Sequence, residues 1–212
     1  MPELTVYPTD SSVAPVAGLI LGHGAGAGQR SPFMTSTARA LAARGVVTAT
    51  FDFPYMTARR KVPDKAPVLE QAWRDAVAAA REHPAFDGLP LYIGGKSMGG
   101  RIASQSTAAG GLPIAGLVYL GYPLHPPGKP QQRRDAHLPS IGAPMLFVQG
   151  TRDPFGTADE IRDLLPRLRH AALHEVEGGD HSFKVPAKAG PQARVMEEIH
   201  DRVVTFIRAC LG

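Results

Sequence analysis

A chain of 212 residues, 43% hydrophobic and 20% charged, can bury a sizeable core, and its ordinary composition excludes a disordered or membrane-embedded protein. The formal net charge of +4 is scattered over Arg59-Arg60-Lys61, Lys129 and Arg133-Arg134 without a clustered face or a known motif, so no nucleic-acid partner is expected. The lone cysteine, Cys210, excludes a disulfide within the chain. Together with an N-terminus unlike a signal peptide and apolar runs too short to span a bilayer, it gives the expectation of a cytoplasmic protein without membrane contact.

Short apolar runs alternate with helical stretches along the whole chain. A weak strand at 4–7 is expected antiparallel at a sheet edge. Residues 16–22 read as a buried strand. A helix over 33–44 follows, with Ser31 at its cap and Pro32 in its first turn. The next strand is 46–52. The helix over 67–82 sets Leu69, Trp73, Val77 and Ala80 on one face, which makes Trp73 a packing residue, and Pro84 ends it. Strands recur at 90–96, 115–121, 144–149 and 171–177, and helices at 98–109, 158–168 and 191–210. Near-continuous apolar strands are those of a parallel sheet covered on both faces. The fold class expected is therefore α/β, a doubly wound, mostly parallel sheet, in a single domain over 1–212. Residues 122–143 break the pattern, because four prolines between 123 and 130 forbid a regular helix, so a long loop is expected there.

Residues 95–99, Gly-Lys-Ser-Met-Gly, follow a strand and open a helix. That is the context a G-x-S-x-G nucleophile elbow requires: a sharp turn holds the Ser97 hydroxyl above the sheet, and the glycines permit close backbone packing. A phosphate-binding loop would need glycine where Pro90 stands, so that reading fails. A nucleophilic serine needs a base and an acid, in the chain order Ser, Asp, His. Asp153 follows the strand 144–149, and His181 lies in the glycine-bearing loop after the strand 171–177. All three fall at the C-terminal rim of one parallel sheet, where such sheets hold their sites. Asp180, the rival acid, adjoins His181 and is expected to point elsewhere.

An oxyanion hole completes the set. Met98, after the nucleophile, is expected to supply one backbone N–H, and Ala25, in the Gly22-His23-Gly24-Ala25-Gly26-Ala27-Gly28 loop, the second. His23, Gly24, Tyr122, Arg133 and Arg134 are expected around the substrate, with His23 bracing its loop. Lys129, Arg133 and Arg134 would bias the site toward anionic or small polar esters. The remaining histidines, His83, His125, His137, His170, His174 and His200, lack metal-ligand spacing and read as surface or loop residues. No metal or cofactor is expected.

The series HGAGAG, DFPY, GGKSMGGR, GYPLHPPGKP, VQGTRDPFG and GGDHSF resembles the dienelactone-hydrolase-like branch of the α/β-hydrolase superfamily. It looks closest to small proteins related to the hydrolase-like region of non-specific-lethal complex subunit 3. The resemblance spans about residues 16–208 and implies hydrolysis without cofactor, with Ser97 as nucleophile, Asp153 as acid and His181 as base. It departs from dienelactone hydrolases proper in having Ser rather than Cys as nucleophile, and the proline-rich loop leaves no room for a helical cap. The expected function is hydrolysis of a carboxylic ester or thioester through an acyl-enzyme on Ser97, with a small-molecule ester as partner. Two alternatives stay open. One is a non-catalytic interaction scaffold on the same fold. The other is a dinucleotide-binding protein, in which Gly22-x-Gly24-x-x-Ala27 would meet the pyrophosphate and Asp52 the ribose.

Overall fold

The computed structural model describes residues 2–187 and 190–212. Seven strands form one sheet: β1 (Thr5–Tyr7), β2 (Ala17–Gly22), β3 (Val46–Phe51), β4 (Leu91–Lys96), β5 (Gly116–Leu120), β6 (Met145–Gly150) and β7 (Ala171–Val176), in the order β1-β3-β2-β4-β5-β6-β7. All neighbours pair parallel except β1, which runs antiparallel along β3 at the edge, Val6 opposite Ala49. Every residue of β2, β3, β5 and β6 is buried, so the continuous apolar runs follow from coverage on both faces.

The described residues form six helices around the sheet: α1 (Pro32–Ala42), α2 (Pro54–Thr57), α3 (Ala66–Glu82), α4 (Met98–Ala108), α5 (Ala158–Leu164) and α6 (Gln192–Ala209). Alternation along β2 divides the core. Ile20 belongs to the cluster on one face, which also holds Trp73 of α3, Ile102 of α4 and, toward the far edge, Ile161 of α5. Leu19 and Leu21 pack on the opposite face with Met34 of α1 and Val203 and Ile207 of α6. Trp73 is fully buried, and its indole N–H donates to the Gly99 carbonyl at 3.2 Å, which locks α3 onto the start of α4. The helix expected over 158–168 stops at Leu164, and a 3-10 turn over Leu165–Arg167 takes its place, because Pro166 cannot continue the α-helical hydrogen bonding. The four-residue α2 after Phe53 was not foreseen; Pro54 at its first position starts it.

Between β5 and β6 lie a loop and one 3-10 turn, Leu138–Ser140, with no inserted cap. The rim of the sheet, where the parallel strands end at Gly22, Phe51, Lys96, Leu120, Gly150 and Val176, is thereby left open. Among the described residues, no helix is long and apolar enough to cross a membrane.

Candidate active site

Ser97 links β4 to α4 with φ 51° and ψ −115°, a conformation that side-chain-bearing residues rarely adopt. Two contacts hold it there. Its N–H donates to the Leu120 carbonyl at 3.1 Å, and its carbonyl accepts the Arg101 N–H at 3.1 Å. The turn also depends on glycine. Gly95 has φ +141°, and a Cβ there would sit 2.1 Å from the Gly22 carbonyl oxygen. A Cβ on Gly99 would meet the same oxygen at 2.1 Å, so the first turn of α4 lies directly on β2.

His181 Nε2 lies 2.8 Å from Ser97 Oγ, and His181 Nδ1 lies 2.8 Å from Asp153 Oδ2. These partners assign the tautomer: Nδ1–H donates to the carboxylate, and Nε2 accepts from the serine hydroxyl. Asp153 is 1% exposed and well supplied with donors. Its Oδ1 accepts the Phe155 N–H at 2.8 Å, and its Oδ2 accepts the Gln149 amide at 2.9 Å. The Phe155 ring lies 4.2 Å from the imidazole, centroid to centroid, and covers one face of it. Asp180 is occupied elsewhere, accepting the Ser182 and Lys184 N–H groups at 2.7 and 2.9 Å.

Ala25, Ser97 and Met98 line a common cleft of about 270 Å³. Met98 is the first residue of α4, whose leading N–H groups have no intrahelical acceptor. The helix start also gives this corner a positive potential suited to a developing oxyanion. Tyr55 donates its hydroxyl to the Ala25 carbonyl at 3.0 Å and fixes that loop. Gly24, Phe33, Met34, Lys96 and His181 border a second, mostly apolar cleft of about 550 Å³, which also reaches Ser97.

Several residues expected at the substrate sit elsewhere. His23 is fully buried: Nδ1 donates to the Gly24 carbonyl at 2.8 Å, and Nε2 accepts the Phe53 N–H at 3.2 Å. It braces the loop and has no surface for a ligand; burial lowers its pKa and keeps it neutral. Tyr122 is 1% exposed and donates to the Arg134 carbonyl at 3.0 Å, so it anchors the proline-rich loop from beneath. Arg133 is paired with Asp135 at 2.8 Å and Glu160 at 3.6 Å and lines neither cleft, and Lys129 is exposed outside both. Arg134 does line the smaller cleft. Asp52 accepts the Gln29 N–H at 2.7 Å, so the carboxylate that a dinucleotide-binding protein would offer to a ribose here ties down the loop between β2 and α1. His200 and His125 are buried rather than on the surface, and His125 Nε2 lies 3.1 Å from Glu160.

Three further residues matter that the sequence reading did not single out. Gln149 is fully buried at the end of β6. It joins Asp153 to the Gly156 carbonyl at 2.6 Å and to the Tyr122 N–H at 2.8 Å. A lone amide in the apolar run before Asp153 was its signal. Lys96 donates to the His181 carbonyl and lies near the Phe183 and Phe33 rings, 5.5 and 6.0 Å from their centroids. Burial pulls its pKa down to about 8, against the pull of Asp153 and Asp180. Arg101, one turn beyond Ser97, lines the smaller cleft.

A strained serine at a strand-to-helix turn, on an uncapped parallel sheet of this strand order, marks an α/β hydrolase. The chain belongs to the alpha/beta hydrolase domain family, which it matches over residues 15–208. Its fold is also that of Est1E from Butyrivibrio proteoclasticus, solved with ferulic acid (TM-score 0.77, 13% identity, covering 98% of this chain and 96% of that one). A dienelactone hydrolase from Anabaena variabilis superposes with a TM-score of 0.75 at 18% identity, covering 98% and 91%. A serine hydrolase without lid from Xanthomonas campestris gives 0.74 at 18%, covering 98% and 88%.

Proposed function

We propose that this hydrolase cleaves a carboxylic ester or thioester through an acyl-enzyme on Ser97, with His181 as general base and acid and Asp153 as the orienting carboxylate. The observation that carries the reading is the unbroken chain Asp153–His181–Ser97, with both links at 2.8 Å. In the first half-reaction Ser97 Oγ attacks the carbonyl carbon while His181 Nε2 takes the hydroxyl proton. The oxyanion is received by the Ala25 and Met98 N–H groups, and Asp153 stabilises the imidazolium. Collapse breaks the bond to the alcohol or thiol, which leaves with the proton from His181. In the second half water attacks the acyl-enzyme, His181 takes its proton, and the acid departs with Ser97 restored.

The dienelactone hydrolase and the ferulic acid complex among the structural neighbours support an ester-class substrate. The open rim and the apolar 550 Å³ cleft suit short acyl or aryl groups reached directly from solvent. The test is a panel of p-nitrophenyl esters of graded chain length, run beside Ser97→Ala. Turnover by the wild type and a loss of about three orders of magnitude in the variant are expected. A folded wild-type protein inert to the whole panel, and to alkyl thioesters, would favour the scaffold reading.

A further inference from the structure

The smaller cleft holds two arginines that acyl transfer does not use. Arg101 stands four residues after Ser97 and so lies on the same side of α4. Arg134 comes from within the proline-rich loop, and both line the cleft that reaches Ser97 and Met98. The nearby carboxylates are already engaged by other arginines. Asp64, also in the cleft wall, is bound through Oδ1 to Arg60 at 2.6 Å, and its Oδ2 is buried with no hydrogen-bond partner. Asp135 and Glu160 pair with Arg133, and Glu70 lies 4.0 Å from Arg74. Among the described residues, no carboxylate lies within ion-pair distance of Arg101 or Arg134. Arg101 Nη1 donates to Gln105 at 2.9 Å, but its Nε is buried with no hydrogen-bond partner.

Two guanidinium groups therefore share a half-enclosed cleft with one carboxylate, Asp64, that is already paired to Arg60, which leaves positive charge in excess and donor capacity unused. Burial and the Arg134 charge both push the Arg101 guanidinium below its ordinary value, in keeping with a pair short of a counter-ion. An arginine side chain does not answer this by deprotonating. A planar guanidinium pairs best with a carboxylate, which it can hold by two parallel hydrogen bonds. We infer that Arg101 and Arg134 form a carboxylate-binding subsite, so that the substrate is an ester whose acyl chain ends in a carboxylate a few atoms from the scissile carbonyl. The inference rests on Ser97 being the nucleophile, since that fixes which end of the cleft holds the reacting bond. The cleft volume of about 270 Å³ suits a short dicarboxylic half-ester.

The test compares mono-p-nitrophenyl glutarate with p-nitrophenyl valerate, which have acyl chains of equal length. The wild type should favour the glutarate in kcat/KM by about tenfold or more, and high salt should erode the preference. Arg101→Met and Arg134→Met should each lower the glutarate-to-valerate ratio by about tenfold, chiefly through KM, and Arg101→Lys by less. Should Arg101→Met fail to fold, Arg134→Met carries the same test from the loop. A binding arm separates the two claims: monomethyl glutarate titrated into Ser97→Ala by calorimetry should bind, and adding Arg134→Met should weaken it by about tenfold. Valerate cleavage with no glutarate preference and no monomethyl glutarate binding would overturn the subsite and leave the hydrolase reading intact. Binding without turnover of either ester would do the reverse.

Discussion

Lys96 keeps its ammonium group in surroundings that resist charge, beside the residue proposed as nucleophile. What holds it is local: the His181 carbonyl as acceptor, two aromatic rings, and the carboxylates of Asp153 and Asp180 at longer range. We assign it the role of a brace under the loop that carries His181. Its pKa of about 8 when folded, against an ordinary 10.5, has a definite consequence for stability. Between those values the unfolded chain holds the proton more tightly, so stability from this group rises with pH there, and the penalty is fully present below pH 8. Lys96→Met removes the group. Denaturant titrations at pH 7.5 and 10.5 should therefore show the variant losing ground to the wild type by about 3 kcal/mol across that window. A gap that does not change with pH would show that the ammonium is solvated.

At the scale of elements, the joint between β2 and α4 sets the position of the elbow. The Gly99→Ala methyl would have to enter space held by the Gly22 carbonyl, with backbone on both sides. The expected cost is about 3 kcal/mol in urea denaturation, with activity falling further than stability because Ser97 moves with the helix. Helix α6 offers the opposite case. His200 faces the core 4% exposed, and neither ring nitrogen has a partner. Burial, reinforced by Arg44 and opposed by Glu197 and Asp201, lowers its pKa from 6.5. Because the unfolded chain takes up the proton first, stability falls as pH drops below 6.5. His200→Leu should gain about 1 kcal/mol at pH 8 by removing unpaired polar atoms, and more at pH 5. Equal denaturation midpoints for the two proteins at both pH values would contradict this.

Across the whole molecule, the sheet was legible because strands covered on both faces read as continuous apolar runs, and β1 stood out by lacking one. The elbow was legible because glycine is required where backbones touch, as at Gly95 and Gly99. Asp153 and His181 were found by their place just past strand ends, and the fold brings them to Ser97. What the sequence hid was the fate of particular side chains. Arg133 and Arg134 are neighbours in the chain, yet only Arg134 borders the cleft, because Asp135 and Glu160 bind Arg133. Tyr122 looked available beside prolines but lies beneath them. The contact with Glu160, like the packing over Tyr122, joins segments that no local pattern connects.

Ser97 is proposed as a nucleophile activated by His181, and covalent labelling probes that activation without knowledge of the substrate. Wild-type protein treated with a fluorophosphonate should gain one adduct by intact-mass spectrometry, mapped by peptide digestion to Ser97. His181→Ala should label far more slowly under the same conditions. A folded wild-type protein that stays unmodified, or that labels at the same rate without the imidazole, would contradict the account.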